Sequence, residues 1–273
     1  RLFAPVVEKA TTDFVPIKKL RNFNYKPNRK LYVPKKIKPL TDGILHYKKI
    51  PFNEIYSASK FIADKISPKL SQHLSAMHKH GALLDEQLTT QFDDEMWEVH
   101  IDNTYTPDDT LSVLHEMGHE ICLLPDILSE IPSITTEFLA DKILQKYNVP
   151  TPYFMTAKNS RIKDMIDEGY MVEFTTDLFE EYERNGKKMT PQIAEEFDVT
   201  DLSTIKDGLE IEIPYFIGSA SSMVLADNIR DGKDYDDAIE ILSNRNIGKV
   251  RKLRELNITP KTLEESFIKN LQK

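Results

Sequence analysis

The sequence predicts a mainly α protein with a small strand region just ahead of a histidine-bearing helix, and three observations carry that prediction. Glycine is scarce, 9 in 273 residues, while Leu, Ile, Glu and Lys dominate, a composition that favours helix. The stretch TLSVLHEMGHE (residues 110–120) and its flank surround two histidines with Leu111, Val113, Leu114, Met117, Ile121, Leu123 and Leu124, as in a helix buried among others. Just before it, WEVHI (residues 97–101) alternates apolar and polar side chains and is the best strand candidate in the chain.

At 40% hydrophobic content the chain can bury a substantial core, as one large domain or one domain with an appendage. Charge supports the second form. Residues 1–41 carry a local net of +9 against −17 for the remainder, which together make the overall −8. Pro5, Pro16, Pro27, Pro34 and Pro39 punctuate this segment and interrupt helix and sheet alike, so residues 1–41 read as a basic arm and residues 42–273 as the main domain. The arm interleaves Phe14, Phe23, Tyr25 and Tyr32 with lysines and arginines. That pattern serves a single-stranded nucleic acid or an acidic protein surface, its own or a partner's. No nucleic-acid module is visible, so the protein surface is the preferred reading. No apolar run approaches the roughly 18 residues of a membrane span, and no charged-then-apolar leader opens the chain. A soluble, cytoplasmic protein with no membrane partner is expected, with membership of a larger particle as an option.

From residue 53 to residue 80, Ile55, Phe61, Ile62, Ile66, Leu70, Leu74 and Met77 recur at helical spacing. Pro68 should break or kink the run and Gly81 end it. His73, His78 and His80 fit a histidine-rich helix end, where the dipole favours them, better than a metal cluster. Asp108 or Asp109 is suited to cap the next helix. The single cysteine, Cys122, reads as a buried apolar residue.

His115, Glu116 and His119 form an HExxH pattern. On a helix, a spacing of four puts both imidazoles on one face, one turn apart, where two neutral nitrogens can hold a zinc ion. Glu116 then lies beside the metal, able to take a proton from activated water and pass it to a leaving amine, the mechanics of a zinc hydrolase. After a turn at Pro125 and Asp126, a helix over residues 132–147 should return past the histidines. Glu130 and Glu137, 11 and 18 residues after His119, compete as third ligand. At 1.5 Å of rise per residue the chain leaves His119 by about 8 to 9 Å and has come back about 6 to 7 Å by Glu130. Glu130 is then nearly level with His119, and Glu137 lies about 10 Å beyond. Glu137 would either fix the orientation of a histidine or form a solvated acidic pair with Asp141.

Several segments together resemble the thimet oligopeptidase and oligoendopeptidase F family of zinc metallopeptidases. DNTYTPDDTLSVLHEMGHE (residues 102–120) is similar to the family's zinc helix and SEIPSITTEFL (residues 129–139) to its glutamate-ligand segment. EFTTDLFEEYERNGKKMTPQIAEEF (residues 173–197) and YFIGSASSMVLADNIRDG (residues 215–232) resemble its C-terminal helices, including a small-residue turn at Gly218 to Ser221, and KHGA (residues 79–82) is a weaker echo. The likeness covers about residues 79–270. It implies a zincin-like helical metallopeptidase catalytic domain, one zinc per chain on His115, His119 and Glu130, Glu116 as general base and acid, and peptides as substrates.

The chain departs from the family in lacking its long N-terminal helical half and in the shortness of the loop from His119 to Glu130. Where the family has a histidine and several tyrosines to stabilise the tetrahedral intermediate, GLEIEIPYFIG (residues 208–218) offers Tyr215 alone. Removing one such donor typically lowers turnover roughly 10²- to 10³-fold. These departures support a competing expectation, a weak or inactive structural or assembly protein that keeps the zinc as a staple and docks through the basic arm. The intact Glu116 favours the peptidase, since a purely structural zinc has no use for that carboxylate.

Overall fold

A helix buried on almost every side organises the chain: α5 (Glu130–Lys146) exposes few of its residues, because it is sandwiched between α4 (Asp108–Glu120) and the 27-residue α6 (Leu202–Asn228). In the computed structural model the described residues are 3, 33–46, 48–81, 83–84, 92–93, 96–97, 99–100, 106–122, 128–147, 149, scattered positions between 162 and 192, and 202–271. Around the α4–α5–α6 layer stand α1 (Lys38–His46), α2 (Phe52–Ile66) and α3 (Pro68–Lys79), with α7 (Gly232–Ser243), α8 (Lys249–Glu255) and α9 (Pro260–Leu271) completing the C-terminal part. The protein is mainly helical, as its composition predicts.

The periodicity of residues 53–80 resolves into two helices, and the break falls at the proline. Ser67 is extended (φ −156°, ψ 135°), and Pro68 starts α3 where its missing N–H leaves no helical bond unmade. The Ser67 hydroxyl oxygen accepts from the Lys69 amide at 3.0 Å and donates to Asp236 Oδ1 at 2.6 Å, so the cap of α3 also fastens α7. His80 caps the end of α3 and Gly81 follows with φ +71°, a left-handed backbone that glycine adopts without strain. The histidines of α3 take separate partners: His78 stacks on Tyr56, 3.8 Å between centroids, and Nε2 of His73 lies 4.0 Å from Glu120.

Before α4 the extended region is fragmentary. Met96–Trp97 (β3) pairs antiparallel with Phe92–Asp93 (β2), and Val99–His100 (β4) pairs parallel with Leu83–Leu84 (β1). The continuous strand expected over residues 97–101 is thus two short pieces in two different ladders, and Ile101 lies outside the described residues. The N-cap of α4 is Pro107 rather than Asp108 or Asp109; instead, the buried Asp109 carboxylate reaches back to accept from the Thr106 amide at 3.2 Å. The turn expected at Pro125 and Asp126 also lies outside the described residues.

The boundary drawn at residue 41 runs through α1. Ile37 and Leu40 are fully buried in the same core as Ile55, Leu114 and Ile134, and Val33 packs against it. At the other end of the arm, the Phe3 ring meets Phe216 of α6 edge-on, 6.1 Å between centroids. These described residues of the arm belong to the packing of the main domain. Phe14, Phe23, Tyr25 and Tyr32, which carry the aromatic and cationic interleaving, lie outside the described residues. No described helix is long and apolar enough to cross a membrane.

Near the end of α6, Asp227 ties three helices together. Lys269 of α9 donates to its Oδ2 at 2.7 Å, and Lys142 of α5 lies 3.4 Å from its Oδ1 while also donating to the Ala226 carbonyl. Burial raises the pKa of this carboxyl, but the Lys269 hydrogen bond and the Lys142 charge outweigh it and hold the value below the ordinary range. A depressed carboxyl contributes stability that is present above its unfolded pKa, about 3.9, and is lost as pH falls through the folded value. Asp227→Asn is therefore expected to lower stability by about 0.5–1 kcal/mol at pH 7, a small figure because both lysines are half exposed. The difference from the unmodified protein should shrink below about pH 4, which paired thermal unfolding curves at the two pH values measure.

Candidate metal centre

The close approach of α4 and α5 begins with a glycine. A Cβ at Gly118 would stand 2.4 Å from Cα and 2.6 Å from N of Ser133, so no larger residue lets the two backbones meet as they do. On the other side of α5, a Cβ at Gly218 of α6 would stand 2.4 Å from Cβ of Glu130. The first residue of α5 is thereby pressed from the α6 side toward the histidine face of α4. Gly218 to Ser221 lie in the middle of continuous helix, not in the turn that the resemblance implied. A polar layer secures the α5–α6 contact: Thr135 donates to Ser222 Oγ at 3.0 Å, and Ser222 donates to the Ile131 carbonyl at 2.9 Å.

This packing brings together Nε2 of His115, Nε2 of His119 and Oε2 of Glu130. The nitrogens are 3.2 Å apart, and the carboxylate oxygen is 3.5 Å from each. At about 2.0–2.2 Å per bond, two ligands on a tetrahedral zinc are roughly 3.3–3.6 Å apart, so the triangle has the dimensions of one face of that tetrahedron. Unless a cation or a shared proton lies between them, the lone pairs of three such atoms repel. Among the described residues this is the one group of three or more His, Cys, Asp or Glu that could hold a metal ion. His115 and Glu130 are buried, and His119 is part-exposed.

Glu137 stands at the other nitrogen of His115, its Oε1 2.5 Å from Nδ1. A carboxylate can only accept, so Nδ1 carries the hydrogen and the neutral ring presents its Nε2 lone pair to the triangle. Of the two roles the sequence left for Glu137, the solvated pair is excluded: Asp141 is buried and accepts from Gln145 at 2.7 Å. Burial lowers the His115 pKa, but the Glu137 hydrogen bond and charge, with Glu130 and Glu116 adding to them, leave it above the ordinary histidine value. Glu130 is the converse. Burial raises its pKa, and the hydrogen bond to His119, the charges of both histidines and the Ser133 hydroxyl hold it below the usual carboxylate range.

Glu116 is half-buried on α4 between the two histidines and outside the ligand triangle. Tyr215 is half-buried on α6, one turn before Gly218, with its ring packed against the core. Cys122 is buried, as expected, and accepts a hydrogen bond from Ser243 at 3.2 Å. Sequence reasoning passed over Ser133, whose hydroxyl donates to Oε2 of Glu130 at 3.2 Å and to its carbonyl at 3.0 Å. The available signal was a serine three residues into a helix that opens on an acidic residue. It also read Gly118 only as part of a motif, although a glycine inside a helix is unfavourable by about 1 kcal/mol relative to alanine and so points to a close neighbour. No protein-family model, curated protein or solved structure matches the chain.

Proposed function

We propose that the chain is a zinc metallopeptidase of the thimet oligopeptidase and oligoendopeptidase F type, with one zinc held by His115, His119 and Glu130. The observation that supports this reading best is the Nε2, Nε2, Oε2 triangle, which among the described residues offers three protein ligands where a closed structural site uses four. When bound, zinc supplies a Lewis acid that polarises a scissile carbonyl and acidifies water. Glu137 keeps the His115 tautomer and ring plane in the orientation that ligation needs. Glu116 accepts the proton of the attacking water and delivers it to the departing amine, a role for which its place beside the histidines but outside the triangle suits it. Tyr215 is the proposed hydroxyl donor to the developing oxyanion.

The test is hydrolysis of a set of unstructured peptides by the purified protein. Cleavage should disappear on chelation and return with one equivalent of zinc per chain. A second reading, a protein that keeps the zinc as a staple, is favoured by Tyr215 standing alone in its segment. It predicts that chelation lowers the unfolding temperature by several degrees while no peptide is cut at any zinc level.

A further inference from the structure

Two hydroxyls of α5 and α6 are equally buried but have different partners. Ser133 and Ser222 are both fully buried in the layers that join α5 to its neighbours. Ser222 bonds only backbone and Thr135, whereas Ser133 shares its proton between the Glu130 carbonyl at 3.0 Å and, at 3.2 Å, Oε2 of Glu130, the one carboxylate oxygen that also faces both histidines. The last torsion of a glutamate is broad and roughly two-fold, so nothing intrinsic to the side chain selects one oxygen over the other. Gly218 limits the position of Cβ, which fixes the stem of Glu130 and leaves the head to turn. Ser133 is the described side chain other than the histidines that holds the head.

We infer that Ser133 is a positioning residue for the third metal ligand, selecting Oε2 of Glu130 as the single ligating oxygen and raising the affinity of the site for a divalent metal. The inference rests on the zinc reading proposed above. The hydroxyl occupies one lone pair of Oε2 and leaves the other directed at the histidine nitrogens, so the carboxylate is held for ligation through one oxygen. With Ser133 removed, the head rotates freely and both oxygens compete for the site. Partners of this kind, bonded to a ligand rather than to the metal, typically change metal affinity 10- to 100-fold.

The measurement is competition of the metal-free protein against a chromogenic chelator for zinc, with cobalt(II) as a spectroscopic probe. Ser133→Ala is expected to weaken zinc binding at least about 10-fold. It should also shift the cobalt absorption bands as the carboxylate becomes free to ligate through both oxygens. Ser222→Ala, which removes an equally buried hydroxyl without touching Glu130, should lower the unfolding temperature while leaving zinc affinity and the cobalt spectrum as they are. Unfolding of the metal-free forms separates a general loss of packing from a loss of positioning: the metal-free Ser133→Ala protein should unfold no earlier than metal-free Ser222→Ala. Equal zinc affinity in Ser133→Ala and the unmodified protein, or equal weakening by both substitutions, overturns the inference. Should the unmodified protein bind no zinc at all, it is the proposed function that fails.

Discussion

Glu116→Gln is expected to keep one zinc per chain and an unchanged unfolding temperature while lowering kcat/KM for peptide hydrolysis on the order of 10³-fold. The amide matches the carboxylate in shape, so packing on α4 is preserved, and Glu116 stands outside the triangle of ligating atoms. What the amide cannot do is accept a proton. General acid and base assistance by a positioned side chain contributes typically 10²- to 10⁴-fold, and Glu116 is asked to act twice, on the water and on the leaving amine. Elemental analysis and single-turnover kinetics on the same preparation decide the matter. Hydrolysis that survives the substitution at full rate assigns the proton transfer to another group or the activity to a contaminant.

The parts of the site that were legible in the sequence are those set by spacing along one helix or by the return of the next. A separation of four determines that His115 and His119 share a face of α4, whatever surrounds them. Helix rise brought Glu130 level with His119 although α4 ends at Glu120 and α5 begins only at Glu130, because the path between them is short enough for the return to be estimated from its length. The same arithmetic put Glu137 about 10 Å further along and left its role open. The structure places it at the far side of the His115 ring, because an imidazole one turn back along α4 presents its second nitrogen toward that part of α5. What spacing could not disclose is contact between elements distant in sequence. The resemblance implied a turn at Gly218 to Ser221; here Gly218 lies within α6 and its lack of a side chain serves the approach of Glu130, 88 residues earlier. That a helix, α1, crosses the boundary drawn at residue 41 has the same kind of reason. Proline density and charge describe residues 1–41 locally, but the burial of Ile37 and Leu40 and the contact of Phe3 with Phe216 depend on surfaces made by α2 and α6.

Glu130→Ala and Glu137→Ala are expected to separate ligation from orientation at the metal centre. Apparent binding free energies of structural zinc sites run about 10–16 kcal/mol over four ligands, or about 2.5–4 kcal/mol each. That corresponds to roughly 10²- to 10³-fold in affinity, and Glu130→Ala should fall at the upper end because it also removes the one negative ligand from a buried pair of neutral imidazoles. Glu137→Ala leaves all three ligating atoms in place. It frees the His115 ring to turn and to exchange its proton between nitrogens, an effect of about 10- to 100-fold. The two variants should also differ without metal. Loss of Glu137 strips a 2.5 Å hydrogen bond from the buried His115 and leaves Nδ1 unpaired, which destabilises the metal-free fold by about 1–3 kcal/mol. Loss of Glu130 removes a carboxylate held among two histidines and Ser133 and opens a small gap, while the Cβ that Gly218 accommodates stays in place in alanine. Zinc competition titrations and unfolding of the metal-free proteins therefore give opposite rank orders: Glu130→Ala the weaker binder, Glu137→Ala the less stable apoprotein. A Glu137→Ala protein that loses its zinc more completely than Glu130→Ala would exchange the two roles, with Glu137 as ligand and Glu130 as the residue that only steadies the site.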